Sequence, residues 1–183
     1  MSQLISKLTK FLSTASVEGD AAHLIRKLTL SSRGSDQLLT PTTIKWLQAH
    51  GRNESDYTLY RGISPSLNSR QLITEWHGIV VGGEVPEKYL QPTSASTVVH
   101  TSHSEKVAKS FSRGGEYRMV YKMVLPFSQI LFDSNFFTKT FSPEAYSEDP
   151  EDYTDAVKYF KSAKEVFCLK PLNPKHTEVV FKL

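Results

Sequence analysis

The chain of 183 residues has a single cysteine, Cys168. No disulfide framework can form within it, and a reducing compartment is the expected setting. Cys168 sits in the apolar run Val166-Phe167-Cys168-Leu169, which predicts a buried, inert thiol and not a nucleophile. Long apolar runs are also missing. None approaches the roughly 20 residues needed to span a bilayer. Ser2 to Leu12 is amphipathic, where a secretory leader would be continuously apolar. Neither charge sign dominates: 22 Lys and Arg against 19 Asp and Glu leave a net +3, too little by itself to argue for nucleic acid. There is no glycine-rich phosphate loop of the Walker or Rossmann kind. Six histidines are scattered along the chain, and none shows ligand spacing with carboxylate or cysteine support. His100 and His103 are close together but stand among serine and threonine, so no metal is assigned.

Repeats, low-complexity segments and interdomain linkers are absent as well, and the length suits one domain with a sizeable core. Within it the hydrophobic period changes. Leu4, Ile5, Leu8, Phe11 and Leu12 fall at helical spacing, as do Ala21, Leu24, Ile25 and Leu28. Thr40-Pro41 reads as an N-cap and first-turn proline, opening a helix with Ile44 and Leu47 on one face and His50-Gly51 at its end. Residues 1–52 are therefore expected to form a helical lobe, and 53–183 a β core.

From Tyr57 the pattern turns to strands. Tyr57 to Ser64 alternates aromatic and aliphatic residues, with a helical start expected at Ser64-Pro65-Ser66. Gly78 to Val81 and Gln91 to Val99 read as further strands. Ser102 and Glu105, three apart, fit a capping box for a short helix with Val107, Ala108 and Phe111 inward, broken at Gly114-Gly115. Tyr117 to Leu125 is the strongest strand and ends at Pro126. Ile130 to Phe132, the segment around Glu165, and Thr177 to Leu183 complete the sheet. Between them, Glu144 to Asp155 is acidic without a basic residue, as in a solvated loop or loose helix.

Three short segments carry the chemistry. In "YTLYRGIS", Arg61 precedes Gly62, an arrangement that lets a guanidinium fork grip a phosphate or carboxylate while the backbone stays close. A surface salt bridge is the ordinary alternative. In "TSAST", Ser94 and Ser96 share one face of a strand; a serine-rich edge strand reads the same way. In "KEVFCLKP", Glu165 heads an apolar strand.

In this order the segments resemble the R-S-E class of mono-ADP-ribosyltransferases, and most of all the small Mod and Alt enzymes of T-even-type phages. The resemblance runs from about Tyr57 to about Leu169, with "KVAKSFSRGGEYRMVYKMVLP" matching the helix, glycine turn and strand between the motifs. It implies an α+β fold: the helical lobe packed on a mixed, mostly antiparallel pair of sheets with an NAD cleft between them. It implies NAD as co-substrate, no metal, and transfer of ADP-ribose to host proteins, transcription or translation machinery among them, in the cytoplasm of an infected bacterium. Glu165 would stabilise the oxocarbenium-like ribose and bond its 2′-hydroxyl. Arg61, beside Gly62, would hold the pyrophosphate or the adjacent ribose. One of Ser94 and Ser96 would position Glu165. Arg113, in the loop after the helix, is either a second phosphate contact or a solvated loop residue. Tyr153, Tyr159 and Phe160 fall where the family recognises its acceptor, although core packing explains the last two nearly as well.

One departure matters. Arginine-modifying members carry Glu-x-Glu, and the first glutamate engages the acceptor guanidinium. Here that position is Ala163, expected on the same strand face as Glu165. Either the acceptor is not arginine, or glutamate was changed to alanine to silence a toxic enzyme; the otherwise intact pattern favours the second. Transfer to a nucleic-acid acceptor, use of NAD-capped RNA as donor, plain NAD glycohydrolysis and a non-catalytic binding module of the same fold are the competing readings.

Overall fold

The computed structural model describes residues 41–91, 98–136 and 162–183. Most of the expected helical lobe, the Ser94/Ser96 segment, the acidic stretch and Tyr153, Tyr159 and Phe160 lie outside the described residues.

Helix α1 spans Pro41–His50, as the proline and the Ile44/Leu47 spacing predict. Leu47 is fully buried. Gly51 ends the helix by donating to the Leu47 carbonyl at 2.7 Å, and its own carbonyl accepts from Asp133 N at 2.6 Å. A Cβ on Gly51 would lie 2.6 Å from the Phe132 ring, so glycine lets the chain turn against the sheet here.

Six strands follow: β1 Tyr57–Ile63, β2 Val98–Ser102, β3 Met119–Leu125, β4 Ile130–Asp133, β5 Glu165–Leu169 and β6 His176–Lys182. They form one six-stranded sheet in the order β4-β5-β2-β1-β3-β6. Every pairing is antiparallel. Helices and an antiparallel sheet thus make up the described part of the chain, and its strands belong to this single sheet.

The pairing is uneven. β1 and β3 share seven registered pairs and β2 and β5 share five, whereas β1 and β2 share only Tyr60↔Ser102. That seam divides the sheet into two three-stranded halves, β1–β3–β6 and β2–β5–β4. Side chains directly opposite each other in neighbouring strands stand on the same face. The chain of partners Lys122–Tyr60–Ser102–Glu165 therefore marks one face. Arg61, paired with Tyr121, marks the other. That second face carries the main core: Tyr57, Leu59, Met119, Tyr121, Met123, Leu125, Val99, Val166, Cys168 and Val179 pack there with Trp76, Ile79, Val85 and Tyr89.

Several boundaries differ from expectation for identifiable reasons. The helix after β1 starts at Ser69, not at Ser64. Asn68 and Gln71 cap each other reciprocally, side chain to backbone at 3.0 Å both ways, while Ser64 Oγ donates to the Tyr117 carbonyl. Helix α2, Ser69–Gln71, then continues as a π turn over Leu72–Trp76. Gly78 to Val81 is not a strand. Val80 and Val81 face solvent, each 61% exposed; the backbone meets that of β6 at Gly82 N and Gly83 O, both bonded to Val179, while Lys182 Nζ donates to the Ile79 carbonyl at 2.6 Å. A short helix α3, Glu87–Leu90, follows.

Helix α4, Glu105–Phe111, is capped by Ser104, which accepts from Val107 N; Ser102 is still the last residue of β2. β2 itself runs on past Val99 to Ser102. A Cβ on Gly62 would lie 1.9 Å from the Ala108 carbonyl oxygen, so α4 rests backbone to backbone on β1. The close approach that glycine permits after Arg61 is made to this helix. Ala108 is buried there, but Phe111 is left 59% exposed instead of packing inward.

Candidate functional site

β5 begins at Glu165 because the residue before it turns the other way. Lys164 has φ +46°, left-handed backbone that a side-chain-bearing residue adopts only where neighbours hold it. Those neighbours come from the end of β2. Ser102 Oγ lies 3.2 Å from both the Ala163 and Lys164 carbonyls and shares its hydrogen between them. His103 N donates to the Lys164 carbonyl at 3.0 Å. Ser104 N donates to Ser102 Oγ at 3.1 Å, which completes the clasp. Ala163 precedes the strand, in a helical turn, and is 9% exposed. The expected same-face pairing of residues 163 and 165 therefore does not arise: the alternation of a strand starts only at Glu165.

Glu165 is 5% exposed. His100 Nδ1 lies 2.6 Å from its Oε1. An ionised carboxylate only accepts, so Nδ1 carries the hydrogen of this bond. The imidazole stands edge-on to Phe167, with centroids 4.9 Å apart and planes at 70°. Phe167 in turn packs on Phe132 at 6.0 Å. A buried carboxylate, one directed donor and an aromatic stack thus occupy one face of the β2–β5–β4 half.

The opposite face holds the other candidate. Arg61 is half-buried in a central strand, and among the described residues its guanidinium makes no hydrogen bond or ion pair. Its charge acts on Tyr121 and Cys168. Burial pushes the Tyr121 phenol up to about 12, with Arg61 opposing, and the hydroxyl donates to the Tyr89 carbonyl at 2.8 Å. Burial likewise pushes the Cys168 thiol up to about 12, against the hydrogen-bond contact with Thr101 Oγ1 at 3.5 Å. The thiol is buried, as the apolar run predicts.

A second histidine–carboxylate pair sits near the same edge. His103 Nε2 is 3.0 Å from Asp133 Oδ2, and Asp133 Oδ1 accepts from the backbone of Asn135 and Phe136. Tyr57 packs beside His103 with centroids 5.8 Å apart. Burial raises its phenol to about 12, the bond from Asn53 N opposes this, and the Asp133 charge adds to it.

Of the residues singled out from sequence, Glu165 and Ala163 are neighbours in this clasp, Arg61 and Gly62 lie across the seam, and Arg113 is an exposed turn residue after α4. Ser94 and Ser96 lie outside the described residues. The residues that surround Glu165 are His100 and Ser102. Local sequence offered one clue to them, a His-Thr-Ser triplet directly before a capped helix, but their link to Glu165 depends on register across 65 positions. Among the described residues no three His, Cys, Asp or Glu side chains converge to hold a metal ion, and no helix is long and apolar enough to cross a membrane. A surface groove of about 660 Å³, lined by Glu84, Val85, Leu172, Lys175 and Thr177 among others, includes none of these site residues. No protein-family model, curated protein or solved structure matches the chain.

Proposed function

We propose that the chain is an NAD-dependent mono-ADP-ribosyltransferase of the phage type, a pentosyl-transferring enzyme acting on host proteins in an infected bacterial cytoplasm. The observation that carries the reading is the buried carboxylate of Glu165, opening a strand at the place the R-S-E resemblance assigns to the catalytic glutamate and held there by a hydrogen bond. The chemistry suits such a group. The bond from ribose C1′ to the nicotinamide nitrogen breaks, its electron pair leaves with neutral nicotinamide, and the ribose becomes oxocarbenium-like. No general acid is needed. A preorganised carboxylate in a dry site stabilises that charge, and an acceptor nucleophile then closes on C1′. Arg61 adds support as a guanidinium without a partner among the described residues, suited to a pyrophosphate. Because Arg61 and Glu165 stand on opposite faces, the reading requires the dinucleotide to pass over the β1–β2 seam.

Ala163 leaves no carboxylate in the turn before Glu165, so transfer to arginine by the chain as it stands is expected to be weak or absent, whether the parent acceptor is arginine or another group. The test compares this chain with Ala163→Glu and Glu165→Gln, measuring nicotinamide release and transfer of labelled ADP-ribose to bacterial lysate, with and without nuclease. The chain itself should release nicotinamide with little transfer to arginine. Ala163→Glu should gain protein labelling, and Glu165→Gln should lose roughly 10²–10³-fold in turnover. Absence of turnover in both the chain and Ala163→Glu would leave a binding module. Nuclease-sensitive label would mean a nucleic-acid acceptor.

A further inference from the structure

We infer that His100 is a positioning residue for Glu165, acting through Nδ1. This rests on the role proposed above for Glu165. The side chain of a glutamate has three rotatable bonds and, left alone, samples many positions. Here Oε1 is tied to His100 at 2.6 Å, shorter than the ~2.7–2.9 Å usual for a charge-assisted N–H···O bond. The imidazole is itself fixed, because its edge stands against Phe167, which packs on Phe132 in the next strand. Three strands, β2, β5 and β4, therefore set the direction of one carboxylate. With Oε1 engaged, Oε2 makes no hydrogen bond among the described residues and is the oxygen left to meet a ribose hydroxyl. The clasp at Lys164 sets where the glutamate backbone begins, and His100 sets where its side chain points.

Misplacing a reacting group by about 1 Å costs on the order of 10²-fold in rate, and that is the loss expected for His100→Ala. It should appear in kcat for nicotinamide release, with KM for NAD little changed, because a carboxylate that acts on the developing cation stabilises the transition state and not the bound ground state. The conservative variants separate this role from a packing role. In His100→Asn the amide nitrogen occupies the place of Nδ1, so most of the activity should remain. In His100→Gln the donor moves out to the place of Nε2, and activity should fall with His100→Ala. Thermal melts of all three variants accompany the kinetics. Turnover abolished by Glu165→Gln but indifferent to His100→Ala overturns the role of His100 alone. Asn no better than Gln, or kcat losses that simply track the melting temperatures, overturn it as well. A chain that releases no nicotinamide from NAD removes the underlying role of Glu165, and the inference with it.

Discussion

The two halves of the sheet are built differently. In β1–β3–β6, long registered pairings carry an apolar face in which Leu59, Met119, Tyr121, Met123, Leu125 and Val179 are fully buried. In β2–β5–β4 the pairings are shorter, and the buried set includes Thr101, Ser102, Asp133 and Glu165. Buried polar groups cost free energy unless each finds a partner. These four have partners: Thr101 on the Val166 carbonyl, Ser102 on the turn before β5, Asp133 on two backbone amides and Glu165 on His100. One half supplies stability through area removed from water. The other spends part of its interior on directed bonds that fix functional groups. Arg61 stands apart, a charge placed in the apolar half with no partner among the described residues.

Substitutions test this division. The largest effect is expected for Leu59→Ala, where loss of a fully buried side chain should lower stability by about 2–5 kcal/mol. Ser102→Ala, in the other half, should lower it by about 1–3 kcal/mol while reducing turnover more than Leu59→Ala does. Urea midpoints together with NAD turnover check the pair, and equal activity losses would break the comparison.

Arg61→Met addresses the charge in the apolar half. A half-buried guanidinium with no partner among the described residues gives the fold little, so the urea midpoint should hold or rise. Loss of a charge-assisted contact should weaken NAD binding by about 1.5–3 kcal/mol, roughly 10- to 100-fold in Kd, measured by calorimetry. A fall in stability with unchanged NAD affinity would mark Arg61 as structural.

The smallest effect is alkaline. Tyr121 and Cys168, one from each half, have pKa values of about 12 against ordinary values of 10.0 and 9.0. Between those limits the unfolded chain holds fewer protons than the folded one, so stability falls as pH rises. Their contribution is complete below about pH 9 and gone above about pH 12, with a slope near 1.4 kcal/mol per pH unit for each group. Tyr121→Phe should flatten this slope above about pH 10 without changing the thiol's share. Denaturant midpoints across an alkaline series measure it.

The apolar half was legible from sequence because its information is local. Alternation over Tyr57 to Ile63 and Met119 to Leu125, and the proline at Pro126, fix strands and faces from neighbours alone. The same holds for α1, with Pro41 at one end and Gly51 at the other. Glu165 was visible as the head of an apolar strand. Its surroundings were not. Ser102 and Ser104 are two residues apart and both suit a cap; what decides between them is that β2 extends through Ser102 to pair with Glu165. The left-handed Lys164 has no sequence signal, since lysine does not advertise positive φ. Nor could Arg61 be assigned a face relative to Glu165 until the single pair Tyr60↔Ser102 set the parity between the two halves.

The depth of Cys168 has a practical side. With a pKa of about 12, its thiolate fraction near pH 8 is on the order of one in ten thousand, and the side chain is fully covered. The chain therefore comes with its only thiol already silent. A cysteine placed by design on Lys164, Arg113 or any exposed position becomes a unique chemical handle. Spectroscopic probes can then follow the turn before Glu165 or the loop after α4 with the native residue left in place.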